Sequence, residues 1–163
     1  MISKKMERAL NEQIKAEMDS AYLYLAMASY FHSVGLDGLA HWMRVQYKEE
    51  MGHAMRFFDH VIERNGRAKA PAVAEPKAQW PSPLEAFKHT YEHEQKVTGL
   101  INKLVDLAAE EKDNPAAILL QWFVTEQVEE EANARKIADM LERIGESGSG
   151  LIMLDHQLGK REG

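Results

Sequence analysis

The sequence predicts an all-α fold: a four-helix bundle with one long crossover and a short fifth helix. Three observations carry this. Four long stretches place apolar residues at alternating steps of three and four, the period of a helix with one buried face. A proline-bearing stretch from Gly66 to Trp80 lacks that period. Each of the four stripes is interrupted, near the same depth, by a carboxylate.

Helix A is expected over about 4–32, with the stripe Leu10, Ile14, Glu17, Ala21, Tyr24, Ala28 and Phe31, stopping before Gly35. Helix B is expected over about 38–64, with Asp37 as its N-cap and Asn65-Gly66 as a left-handed stop. Its stripe reads Met43, Gln46, Glu50, His53 and Phe57. Pro71, Pro76, Pro81 and Pro83 mark the connection that follows. About fifteen extended residues at roughly 3.3 Å each reach some 50 Å, more than the roughly 40 Å of helix B. The next helix therefore starts at the far end, and B and C run parallel.

Helix C, about 83–111, opens on Ser82-Pro83-Leu84-Glu85, with Ser as N-cap, Pro at the first helical position and Glu placed for a capping box. Its expected stripe is Leu84, Phe87, Tyr91, Glu94, Thr98, Ile101, Val105 and Ala108. Helix D, about 115–144 after Asp113-Asn114-Pro115, carries Leu120, Phe123, Gln127, Glu130, Ala134, Ile137, Leu141 and Ile144. A last helix of about 150–160 follows Ser147-Gly148-Ser149-Gly150 and is too short to stand unpacked.

Composition narrows the chemistry. The 163 residues suit one domain, 1–163, and the net charge of −6 disfavours a phosphate-binding surface, so no nucleic-acid partner is expected. There is no apolar run long enough for a membrane span and no secretory core at the N-terminus, so a cytoplasmic protein is expected. With no cysteine, only oxygen and imidazole ligands remain for a metal.

Counted from the helix starts, Glu17, Glu50, Glu94, Gln127 and Glu130 lie about eleven to fifteen residues in, level within about one turn. Glu17 also comes level with His53. An unpaired buried carboxylate costs several kcal/mol, and four within about 6 Å cannot all ionise without cations. Two divalent metals sharing bridging glutamates answer that demand. Oxygen-rich ligation with one imidazole suits iron or manganese, with zinc a competitor. Solvated acids on stripes drawn slightly off register are the plain alternative.

These residues resemble the bacterial and archaeal non-haem ferritins. The likeness runs from Ala21-Tyr22-Leu23-Tyr24-Leu25 and Gly38-Leu39-Ala40-His41-Trp42-Met43 to Gln121-Trp122-Phe123-Val124-Thr125-Glu126-Gln127-Val128-Glu129-Glu130-Glu131. The resemblance implies a ferritin-like bundle in which Glu17, Glu50 and His53 hold one iron. Glu50 would bridge to a second iron held by Glu94 and Glu130, with Gln127 alongside. It further implies a third iron site at Glu49, Glu126 and Glu129, and a tyrosine, Tyr24, beside the centre as electron donor or hydrogen-bond partner; Trp122 is given only a packing role. The implied activity is oxidation of ferrous iron by dioxygen, with ferric mineral stored in a homo-oligomeric cage of 24 subunits whose fourfold contacts involve the last helix. Bacterioferritins carry a second Glu-x-x-His on the fourth helix, where this chain has Gln127-x-x-Glu130. That favours the non-haem type, although Met51 stands where bacterioferritins ligate haem. A di-iron or di-manganese redox enzyme and a DNA-protecting mini-ferritin are the competing readings. Glu110, Glu111 and Asp113 are candidates for an inlet pore or a solvated helix end.

Overall fold

The structure is a computed structural model describing residues 1–163. Five helices account for the ordered framework: α1 Lys4–Ser33, α2 Asp37–Glu63, α3 Pro83–Glu110, α4 Asn114–Ile144 and α5 Gly148–Leu158. No helix is long and apolar enough to cross a membrane.

Local chemistry sets the helix ends. Ser3, Ser82, Asp113 and Ser147 each accept a backbone N–H in the first turn of the helix they precede. Asn65 takes φ 58° after α2, and Gly35 takes φ 76° between α1 and α2. Two expected boundaries shift. Asp37 lies inside the first turn of α2 and Leu36 holds the cap position without a side-chain bond. Burial of Leu36 in the core draws the helix back by one residue. Likewise α5 begins at Gly148, because Ser147 caps it by accepting from the Gly150 amide at 3.3 Å.

The missing cap of α2 is supplied from the other end of the chain. Asp155 of α5 accepts a hydrogen bond from the Leu39 amide at 2.8 Å. Gly38 makes this approach feasible: a Cβ there would stand 1.7 Å from the Asp155 carbonyl oxygen.

The crossover runs the length of α1. Asn11 donates to the Arg67 carbonyl at 3.0 Å, Asp19 accepts from the Ala74 amide at 3.2 Å, and Trp80 packs on Tyr30 with ring centroids 5.5 Å apart. The bundle's two apolar clusters agree with that path. One joins Met27 and Phe31 of α1, Leu39 and Met43 of α2, Phe87 of α3 and Leu141 of α4. The other joins Leu10 and Ile14, Phe57, Ile101 and Ala108, and Leu120 and Phe123. The first halves of α2 and α3 thus share one end, so those helices are parallel, as expected from the sequence. Between the clusters lies a polar layer.

The stripes on α1, α2 and α4 are buried as expected, except that Ile144 at the end of α4 is only half-buried. On α3 the phase is corrected: Phe87, Thr90, Glu94, Val97, Ile101, Leu104 and Ala108 are buried, whereas Leu84, Tyr91, Thr98 and Val105 are only half-buried. A three-four alternation and a four-three alternation through Glu94 fit the same period, and neighbouring residues decide between them.

Asp113 is not free to line a pore. Arg64 donates to its two oxygens at 2.7 and 2.8 Å, and Asp113 accepts from the Ala116 amide at 3.1 Å. Burial pushes its carboxyl upward, but the Arg64 and Ala116 hydrogen bonds outweigh that and hold it below the usual range. Glu110 pairs with Lys5 at 2.8 Å, and Glu111 accepts from the Ser3 hydroxyl at 2.8 Å.

Gly38→Ala is expected to drive α5 off α2 and remove the Asp155 cap, costing about 2–4 kcal/mol from overpacking and cap loss. Gly99→Ala, at a site where a Cβ meets nothing within 4 Å, is expected to be neutral or to stabilise by roughly 0.5–1 kcal/mol. Denaturant midpoints of the two variants check this, and equal midpoints would contradict it.

Candidate metal centre

The polar layer is built one or two residues per helix. Glu17 comes from α1, Glu50 and His53 from α2, Glu94 from α3, and Gln127 and Glu130 from α4. All six are buried, the most exposed being His53 and Glu130 at 5%. They sit on the inner stripe of each helix at matching depth, so the bundle closes on them from four sides.

Ligand atoms converge in three overlapping groups, each with all its atoms within 4.8 Å of one another: Glu17, Glu50 and His53; Glu50, Glu94 and Glu130; and His53, Glu126 and Glu130. Glu50 belongs to the first two. Its Oε2 lies 3.4 Å from His53 Nδ1 across one helical turn. Each group could hold a metal ion, and Glu50 is common to two of them. Glu17 Oε2 is buried without any hydrogen-bond partner. A buried carboxylate oxygen with no donor is costly, and either a proton or a cation would relieve it.

Neutral amides orient the acids. Gln13 donates to Glu17 at 2.8 Å, Gln46 to Glu130 at 2.6 Å and to Glu50 at 3.4 Å, and Gln127 to Glu94 at 3.1 Å. The Tyr24 hydroxyl donates to Glu94. Its ring meets His93 edge-on at 6.0 Å, and His93 is in turn hydrogen-bonded to Ser20 at 2.8 Å. Each amide therefore fixes a carboxylate without neutralising it.

Burial is the first cause that raises each carboxyl, and for Glu17, Glu50 and Glu130 repulsion from another acid of the layer comes next. Glu17 and Glu50 are pushed well above the usual range by burial, Glu17 next by Glu50, and Glu50 next by Glu94 and Glu130. Glu94 is raised by burial, and Glu130 by burial and then Glu94 to about 8. Tyr24 is raised as well, by burial and then by Glu94.

The remaining sequence candidates divide. Glu126 stands 4.0 Å from His53 Nε2, so it borders the centre. Glu49 is turned to Arg161, whose Nη2 lies 2.5 Å away, and Glu129 is exposed; neither joins the converging groups. Trp122 packs edge-on to His53 at 5.4 Å beneath the Arg56 guanidinium, 3.7 Å from the ring centre. Met51 is half-buried. Sequence reading missed Gln13, although Gln13 and Gln46 each stand four residues before a buried acid, Glu17 and Glu50, and that repeat is a usable signal. Nothing local marked Arg161.

Fold and site together define a helical-bundle protein with a buried layer of carboxylates and one imidazole, contributed by a single chain, that could hold metal ions. The family model for the ferritin-like domain matches residues 7–144. The chain is 48% identical to a bacterial non-heme ferritin of Bacteroides fragilis over 99% of this chain and all of that one. It is 39% identical to one of Campylobacter jejuni, covering 97% and 95% of the two. Among solved structures, an open pore ferritin from the hyperthermophilic archaeon Archaeoglobus fulgidus superposes with TM-score 0.98 at 56% identity, covering 99% of this chain and 100% of that one. This chain belongs to the ferritin family.

The raised carboxyls have a measurable consequence. Glu130 is mostly protonated at neutral pH in the metal-free protein and must lose its proton to bind a cation. Loading with Co²⁺ in weakly buffered solution at pH 7 is therefore expected to release protons, and no release would contradict the raised values. By linkage, a carboxyl raised from 4.5 to about 8 stabilises the fold below pH 4.5, and that contribution is lost as pH rises toward about 8. The melting temperature of metal-free protein should fall across that window, and bound cation should flatten the fall.

Proposed function

We propose that the protein is an iron-storage ferritin with ferroxidase activity. It takes up ferrous iron as substrate at the paired positions, oxidises it with dioxygen and stores the ferric product inside a cage of identical subunits. The observation that carries this reading is the sharing of Glu50 between two converging ligand groups. Each ferrous ion gives up one electron. A bridged pair can deliver two together to dioxygen, which a single ion cannot. Glu17 and His53 serve the first position, Glu94 and Glu130 the second. Their carboxylates favour the more highly charged ferric state, which lowers the barrier to electron loss.

Tyr24 donates its hydroxyl hydrogen bond to Glu94, and in this reading holds that ligand in place and stands beside the reacting pair. Gln127, also bonded to Glu94, is its amide counterpart. Glu49, Glu126 and Glu129 form a third, weaker iron site, of which Glu126 lies nearest the pair. Assembly into 24 subunits and a cytoplasmic setting belong to the same reading; haem plays no part in it. Relatives named non-heme ferritins over nearly the whole chain support it.

Aerobic titration of metal-free protein with ferrous iron tests the proposal, following ferric absorbance, oxygen uptake and particle size together. Rapid oxidation that saturates at two to three irons per subunit, about the number of ligand groups, followed by slow growth of a soluble core in a large particle, is expected. Glu50→Ala and Glu94→Ala should each slow the rapid phase by about a hundredfold or more, as loss of a metal ligand does. Unchanged rates in both would overturn the site. Rapid saturation in a small oligomer without core growth would instead identify a di-metal redox enzyme.

A further inference from the structure

The segment after α5 folds back across α2 and lays Arg161 against the outer edge of the metal centre. Five contacts hold it. Its Nη1 donates to Gln46 Oε1 at 2.9 Å and to the Trp42 carbonyl at 3.3 Å, and its Nη2 donates to Glu49 Oε2 at 2.5 Å. The guanidinium lies 4.4 Å from the centre of the Trp42 ring, and His41 Nε2 is 2.7 Å from the Arg161 carbonyl.

The bond to Gln46 matters most. An amide side chain has one accepting end and one donating end. Because Arg161 donates to Oε1, the NH₂ of Gln46 is turned inward, where it reaches Glu130 at 2.6 Å and Glu50 at 3.4 Å. Without Arg161 the amide can flip and present an oxygen to two carboxylates. Arg161 also occupies Glu49, so the same guanidinium stands where a cation held by Glu49 would stand. The two nitrogens of a rigid planar fork reach both acceptors at a fixed separation, which the single nitrogen of an ammonium does not reproduce. A cavity of about 260 Å³ beside Arg161, lined in part by Trp42, Ile137, Met140 and Leu158, leaves room for the side chain to withdraw.

We propose that Arg161 is a positioning residue for the metal centre. Through Gln46 it sets the donors facing the bridging acids, and through Glu49 it acts as a built-in cation that a third metal must displace. The proposal rests on the reading of the buried acids as metal positions and, for its Glu49 part, on the proposed third iron site.

The test is anaerobic titration with Co²⁺, reading the visible absorption of the bound ion and the affinity of each equivalent in the full-length assembled protein. In Arg161→Ala the third equivalent should bind about tenfold more tightly. The first two should bind about tenfold more weakly with a shifted spectrum, the usual range for an outer partner of a metal ligand. Arg161→Lys should keep the third equivalent weak while still disturbing the pair. Gln46→Leu should disturb the pair alone, and adding Arg161→Ala to it should weaken the pair no further. A wild-type spectrum and unchanged affinities in both Arg161 variants would overturn the proposal. Failure of the wild-type protein to bind Co²⁺ would overturn the metal reading itself, and the proposal with it.

Discussion

Everything in this bundle answers to the cost of enclosing four carboxylates in one layer. Glu17, Glu50, Glu94 and Glu130 are withdrawn from water and crowded together, and burial and repulsion both disfavour their charge. Lysines or arginines at the same depth would satisfy them permanently. The structure uses neutral amides instead: Gln13, Gln46 and Gln127 donate to the acids and bring no counter-charge. A bound cation would supply the counter-charge that the amides lack.

Such a layer survives only because the helices are clamped on both sides of it. One apolar cluster closes the bundle above, around Phe31, Met43 and Phe87, and the other below, where Phe57 stacks on Phe123 at 4.0 Å between centroids. At roughly 1.5–3 kcal/mol for each large buried apolar side chain, the flanking cores outweigh an unfavourable seam. The long crossover serves the same end. By returning the chain to the start of α2 it lets α3 run parallel to α2, which brings Glu94 level with Glu50.

The layer was legible in the sequence for a simple reason. The starts of α1, α3 and α4 carry serine or aspartate caps, the rise per residue is constant, and an acid on a buried stripe has a depth that can be counted. Glu17, Glu50, His53 and Glu130 met as that arithmetic requires. Where two phases fitted one period, on α3, the choice fell wrongly on Tyr91 and Thr98 instead of Thr90 and Val97, because Thr and Tyr suit either a buried or a bordering position. The C-terminal residues were not legible at all. Arg161 reaches Glu49 across more than a hundred residues, and no periodicity encodes a contact between an irregular segment and a helix.

The cap that Asp155 lends to α2 has a bearing on how the chain matures. The first turn of a helix is its most expensive part to form, and α2 has no local side chain to finish it. The group that does so lies 116 residues downstream. During synthesis α1 and most of α2 can pair as soon as they emerge, but the start of α2 lacks its cap until α5 has been made. Docking of α5 is then what finishes the first turn of α2, so that turn is completed only once α5 has been made.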